Sequence, residues 1–150
     1  MTMGTPEAER RESTTVELQD LLDTAPQLAQ FLEEQADNMR PPTFDRHLAA
    51  LMEERGLTPA RLGELALLSR SFTYQLCSGV RAPSRDVVLR LALVLKLDPE
   101  ETQRLLRSAC RGALYPRVRR DAALIFALQR GMSLFDANEL LCSLEEEPLL

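Results

Sequence analysis

From residue 43 onward, apolar residues recur three and four apart, and Gly, Pro or a hydroxyl residue interrupts them every ten or so positions. That is the helical period with helix punctuation, and no stretch alternates as a half-buried strand does. Phe44, Leu48, Leu51 and Met52 predict a helix over about Thr43 to Arg55, ended by Gly56. Thr58 caps the next, with Pro59 at its first position and Leu62, Leu65 and Ala66 on its apolar face. Ser69 caps a third, from Arg70 to about Ser78, stopped at Gly79. Pro83-Ser84 opens a fourth, so apolar through Val87, Val88, Leu91 and Leu95 that it reads as the central helix. Asp98-Pro99-Glu100-Glu101 is a cap with acids in the first turn, and the fifth helix, through Leu105 and Leu106, ends before Gly112. Tyr115-Pro116 reopens the chain into a helix that ends at Gly131. Ser133 caps a last one, to about Leu144.

Ahead of this body the pattern is sparser. Residues 1–14 are polar and aperiodic and predict a disordered tail. Residues 15–42 predict an acidic helical extension and linker. Val16, Leu18, Leu21 and Leu22 lie on one short helix. Leu28, Phe31 and Leu32 lie on another, opened by Pro26, with Glu33, Glu34 and Asp37 outside. Met39-Arg40-Pro41-Pro42 is a helix stop. The apolar stripe either packs on the chain's own body or docks a partner.

The chemistry sits on the helix after Ser69. At about 100° per residue, Phe72 and Leu76 fall on one side with Thr73 and Cys77 beside them. Arg70, Ser71, Tyr74, Gln75 and Ser78 fall on the other. That outer face holds no carboxylate. Arg and Gln are the side chains that bond bidentately to guanine and adenine edges in a major groove. Two short helices joined by a tight turn, the second with such a face outward, make a helix-turn-helix.

Leu57-Thr58, Leu62, Ser69-Arg70-Ser71, Leu76, Gly79, Arg81, Pro83-Ser84, Leu89, Leu91-Ala92 and Leu97 together resemble the Cro/repressor-like (XRE-type) helix-turn-helix domains, without gaps from about Phe44 to Leu106. The resemblance implies a five-helix domain, usually dimeric on double-stranded DNA. It implies base contacts from Arg70, Ser71, Tyr74 and Gln75, and phosphate contacts from the helix starts at Thr58 and Ser69 and from Arg81; Arg85, at the start of the fourth helix, is placed near phosphates as well. Three positions depart from the family's usual pattern. Pro59 stands where a Gln is common, Leu67 where the turn has Gly, and Thr73 where a branched apolar residue is usual. A left-handed Leu67 is strained by roughly 1 kcal/mol.

The overall charge of −5 is the wrong sign for a DNA binder until it is divided by position. Residues 1–42 have three Arg against nine acids, residues 43–120 fourteen Lys and Arg against eight, and residues 121–150 one Arg against six. The basic middle coincides with the helix-turn-helix, as a phosphate-facing surface requires, and the acidic flanks are expected to face away. Arg117, Arg119 and Arg120 cluster where a helix starts, the end that disfavours cations. They are read as pairing with acids of the same chain or a subunit, as touching DNA backbone, or as a solvated face.

Cys77, Cys110 and Cys142 form no C-x-x-C pair, which argues against a disulfide framework or zinc site. Cys77 reads as a packing residue, with a redox role beside the outward face as the other reading. His47 is the single histidine and has no partner at ligand spacing. No cofactor, metal or catalytic centre is expected, and the protein is not read as an enzyme. No apolar run approaches the ~20 residues of a membrane span, and the acidic start is unlike a signal peptide, so a cytoplasmic protein is expected.

An internal echo completes the pattern. Arg55-Gly56-Leu57-Thr58 with Glu64-Leu65 returns 75 residues later as Arg130-Gly131-Met132-Ser133 with Glu139-Leu140. The second copy lacks anything like Arg70 to Gln75 and is read as structural. Its apolar content, about Leu124 to Leu144, is expected to cover the five-helix body or form a dimer interface.

The expected architecture is therefore all-α. A helix-turn-helix domain over residues 43–111 follows the acidic helices, and a C-terminal helical hairpin with an acidic tail occupies 112–150. Two functions fit. One is a sequence-specific DNA-binding transcriptional regulator, read as a repressor and homodimer. The other is a protein-interaction adaptor on a repressor-like scaffold, docking a partner through residues 15–38 or Arg117, Arg119 and Arg120.

Overall fold

The computed structural model describes residues 15–24, 27–35 and 43–150. They belong to two compact units, residues 1–41 and 42–150, and every regular element among the described residues is a helix. The expectations for residues 1–14, for Pro26 and for the linker up to residue 42 lie outside the described residues.

The first unit holds α1 (Thr15–Thr24) and α2 (Leu28–Glu34), the expected acidic pair. Phe31 is buried. Val16, Leu21, Leu22, Leu28 and Leu32 are exposed.

The second unit contains α3 (Phe44–Arg55), α4 (Pro59–Ala66), α5 (Arg70–Ser78), α6 (Arg85–Val94), α7 (Pro99–Ser108), α8 (Arg119–Gln129) and α9 (Leu134–Ser143). Its middle is α6, which buries Val88, Leu89, Leu91, Ala92 and Leu93. It packs on α4, α7, α8 and α9. Around it Leu48, Leu62, Leu76, Leu105, Leu106, Leu124 and Leu141 lie at essentially zero exposure. Each such leucine contributes roughly 1.5–3 kcal/mol by leaving water. The α8–α9 hairpin shares this core, so it covers the five-helix body, one of the two roles its composition allowed.

One joint recurs through this unit. Seven helices end on a left-handed residue, three of them Gly (Gly56, Gly79, Gly131) and four not: Leu67, Lys96, Cys110 and Glu145, with φ of 56–59°. After each, the next N–H reaches back over the turn, as from Leu57 to the Met52 carbonyl (3.0 Å) and from Leu68 to that of Gly63 (2.9 Å). This closes the helix end and satisfies carbonyls that would otherwise lack donors. In four cases an apolar residue and a cap follow at once: Gly56-Leu57-Thr58, Leu67-Leu68-Ser69, Lys96-Leu97-Asp98 and Gly131-Met132-Ser133. The caps accept from the N–H groups of Arg61, Phe72, Glu101 and Asp136. The 75-residue echo is thus two uses of a connector that appears four times.

Reciprocal ion pairs fasten the hairpin. Arg85 and Asp86 open α6; Arg120 and Asp121 lie in the first turn of α8. Arg85 binds both oxygens of Asp121 at 2.9 and 3.1 Å. Arg120 binds both oxygens of Asp86 at 2.9 and 3.1 Å. Arg120 also donates to the Glu147 carbonyl, and its hydrogen bonds to the Asp86 carboxylate raise its already high pKa. Arg119 donates to the Leu144 carbonyl and lies 3.5 Å from a Glu146 oxygen. Of the three readings of this cluster, pairing within the chain accounts for Arg119 and Arg120.

Candidate nucleic-acid interface

The helix-turn-helix is α4, the turn at Leu67-Leu68, and α5. Its tight crossing depends on Gly63. A Cβ built there would lie 2.6 Å from the Thr73 Oγ1 and 3.2 Å from its Cβ. Glycine in a helix interior costs about 1 kcal/mol against alanine; here it lets α5 approach α4. Thr73, expected as a departure, is buried, and its hydroxyl donates to the Ser69 carbonyl at 2.8 Å. A buried hydroxyl with its bond made carries little penalty.

Leu67 is left-handed, at φ 58° and ψ 41°. The turn is held from outside by Arg90 on α6. Its guanidinium donates to the Ala66 carbonyl from Nε (3.1 Å) and from one terminal nitrogen (2.7 Å), and from that nitrogen to the Leu67 carbonyl (2.7 Å). A cation on the last carbonyls of α4 complements the negative end of its dipole. Partial burial lowers the Arg90 pKa, against a baseline so high that it stays charged.

The outer face of α5 is presented as the helical wheel requires. Arg70 and Ser71 are exposed, Tyr74 is nearly half exposed and Gln75 is half-buried. The Arg70 guanidinium lies 5.8 Å from the Tyr74 ring centroid, a cation–π stack one turn apart. Arg81, just past the helix, lies 5.8 Å from the Phe72 ring. Thr58 and Ser69 point their oxygens at the first backbone N–H groups of α4 and α5, which leaves each hydroxyl hydrogen as a donor. Pro59 occupies the first position of α4.

Arg85 stands apart from this set. Its Nε donates to the Gly112 carbonyl at 2.9 Å, and a terminal nitrogen donates to that of Ala113 at 2.8 Å, besides the two bonds to Asp121. Four of its five N–H groups are therefore used inside the fold. Arg85, expected near phosphate, is thus engaged mainly with the α8 side of the fold and has one N–H left over.

Three contributors were not read from the sequence. Gly63 and Arg90 set the crossing and the turn. The third is Asp45, at the start of α3: a Cβ built on Gly79 would lie 2.9 Å from its Oδ2. This carboxylate closes the far end of α5, away from Arg70. The available signals were a glycine inside a helix pattern and an arginine on an otherwise apolar helix. Cys77 is half-buried, with its thiol 3.9 Å from the Met52 sulfur. Burial raises its pKa, which fits packing and opposes a reactive thiolate. Among the described residues no group of three or more His, Cys, Asp or Glu is placed to hold a metal, and no helix is long and apolar enough to cross a membrane.

Residues 45–105 match the model of a family described as a helix-turn-helix domain. No curated protein and no solved structure matches the chain.

Proposed function

We propose, from the match of residues 45–105 to a helix-turn-helix domain family, that the protein is a sequence-specific transcriptional regulator, acting as a repressor by occupying its operator. The helix α5 enters the major groove. Arg70, Ser71, Tyr74 and Gln75 read base edges, and Thr58, Ser69 and Arg81 bind phosphates. Two copies act together on half-sites about one helical turn apart. The observation that carries this reading is the outer face of α5: no carboxylate in the helix, Arg70 and Ser71 exposed, and Arg70 stacked on Tyr74. The test is a gel-shift titration with genomic fragments at graded salt. Arg70→Ala weakens the cognate fragment by about 1–3 kcal/mol and relaxes discrimination at one base position. If it leaves the cognate affinity unchanged, α5 is not the reading element.

The adaptor reading retains one supporting observation, the exposed apolar stripe of Val16, Leu21, Leu22, Leu28 and Leu32 on acidic helices. It loses another, because Arg119 and Arg120 are engaged within the chain. Recovery of one stoichiometric protein partner, with no DNA retained at low salt, would select it.

A further inference from the structure

The second unit contains a cavity of about 580 Å³ on the side where the hairpin meets the helix-turn-helix. Its size is in the range of small-molecule sites. The walls come from three helices and the tail. Leu65 and Leu67 belong to α4 and its turn, Leu93 and Val94 to α6, and Leu134 and Phe135 to α9. The lining is overwhelmingly apolar, and at the mouth Phe135 and Leu150 are 71% and 60% exposed. Exposed apolar surface continuous with an apolar cavity is costly in water and marks a binding surface.

One wall residue identifies the chemistry. Asn138 is more than nine-tenths buried and lines the cavity. Its Oδ1 accepts the Leu149 N–H at 2.7 Å, which fixes the orientation of the amide. Its Nδ2 then has no acceptor among the described residues. An unmade bond of this kind costs about 1–3 kcal/mol, and an apolar wall cannot supply an oxygen. Pro148 and Leu150 of the tail form part of the same wall. The wall also holds one cation and one carboxylate, Lys96, which donates to the Gly131 carbonyl at 2.8 Å, and Glu139, so charge in the lining is balanced and the Asn138 donor sets the preference.

We infer that this cavity binds a small apolar molecule carrying a carbonyl or carboxylate oxygen. The apolar body fills the space among Leu93, Val94 and Leu134. The oxygen accepts from Asn138 Nδ2, with the exposed terminal Leu150 shifting to admit it while Leu149 keeps its bond to Oδ1, and a quaternary ammonium offers that donor no acceptor. The occupant touches Leu67, the left-handed residue of the helix-turn-helix turn. The binding itself does not rest on the DNA-reading proposal.

The experiment is calorimetric titration of the full chain with decanoate, and with decyltrimethylammonium as a control of equal chain length and opposite charge. Decanoate binds at one site per chain, at least tenfold more tightly than the cation. Asn138→Asp keeps the oxygen that Leu149 needs, removes the donor and repels a carboxylate. It weakens decanoate at least tenfold, as expected for a hydrogen bond to a charged group, while the protein stays folded by circular dichroism. Val94→Phe, which fills the space, also abolishes uptake. Equal binding of the two amphiphiles overturns the inference, as does an unchanged affinity in Asn138→Asp or in Val94→Phe. So does a dimer that Phe135→Ser converts to monomer without decanoate uptake in either state, for then a second copy fills the cavity.

Discussion

Arg85 on α6 and Asp121 on α8 face each other as a two-pronged ion pair, at 2.9 and 3.1 Å, with the carboxylate almost fully buried. The Tyr115 N–H also donates to that carboxylate, at 3.0 Å. This cluster ties the hairpin to the helix-turn-helix body, and removing one member strands a buried charge. Asp121→Ala should destabilise the fold by about 3 kcal/mol and lower the thermal midpoint by roughly 10 °C or more. The double variant with Arg85→Ala should cost clearly less than the sum of the single ones. Additive losses in urea titration would mean that the pair is not coupled.

Arg81 is expected to touch phosphate rather than bases, since it follows α5 and lies over Phe72 instead of on the outward face. Arg81→Ala should weaken cognate and non-cognate DNA alike and reduce the slope of log affinity against log salt by about 1. A loss confined to the cognate sequence would move Arg81 into the base-reading set.

Leu67 is exposed and left-handed, so its side chain gains little packing to offset its backbone strain. Leu67→Gly should stabilise the protein by about 1 kcal/mol, because glycine enters this conformation freely. Chemical denaturation measures this directly; a destabilised variant would show that the side chain contributes more than its exposure indicates.

At Gly63 the opposite sign holds. Gly63→Ala places a methyl group 2.6 Å from the Thr73 Oγ1 and should cost about 1–3 kcal/mol through overpacking. Adding Thr73→Ala, which removes that oxygen, should return part of the loss. Absence of such coupling in a double-mutant cycle would show that the helices relax apart without strain.

The cysteines should label in order of exposure. Cys110 and Cys142 are exposed, whereas Cys77 is half-buried with a raised pKa. A raised pKa leaves less thiolate at any pH below it, so iodoacetamide at pH 8 should modify Cys77 last, and fully only on unfolding. Mass spectrometry of partially labelled protein reads the order, and early modification of Cys77 would revive its redox reading.

Much of this protein was determined by local rules. Helical spacing placed α3 to α9, and Thr58, Ser69, Ser84, Asp98 and Ser133 marked starts that the structure uses as caps. The outward set of Arg70, Ser71 and Tyr74 follows from a rotation of about 100° per residue once Phe72 and Leu76 point inward. Such features depend on neighbours within four positions and are legible in one dimension. Tertiary structure alone decided which cations are spent. Arg85, Arg119 and Arg120 look like Arg81 in the sequence, yet their carboxylate partners lie 27–36 positions away, and only the packing of α8 against α6 brings them together. The same holds for Arg90 on the Leu67 turn and for the cavity beside Asn138. A charge or a donor is committed by what surrounds it in space, and a distant partner leaves no periodic trace along the chain.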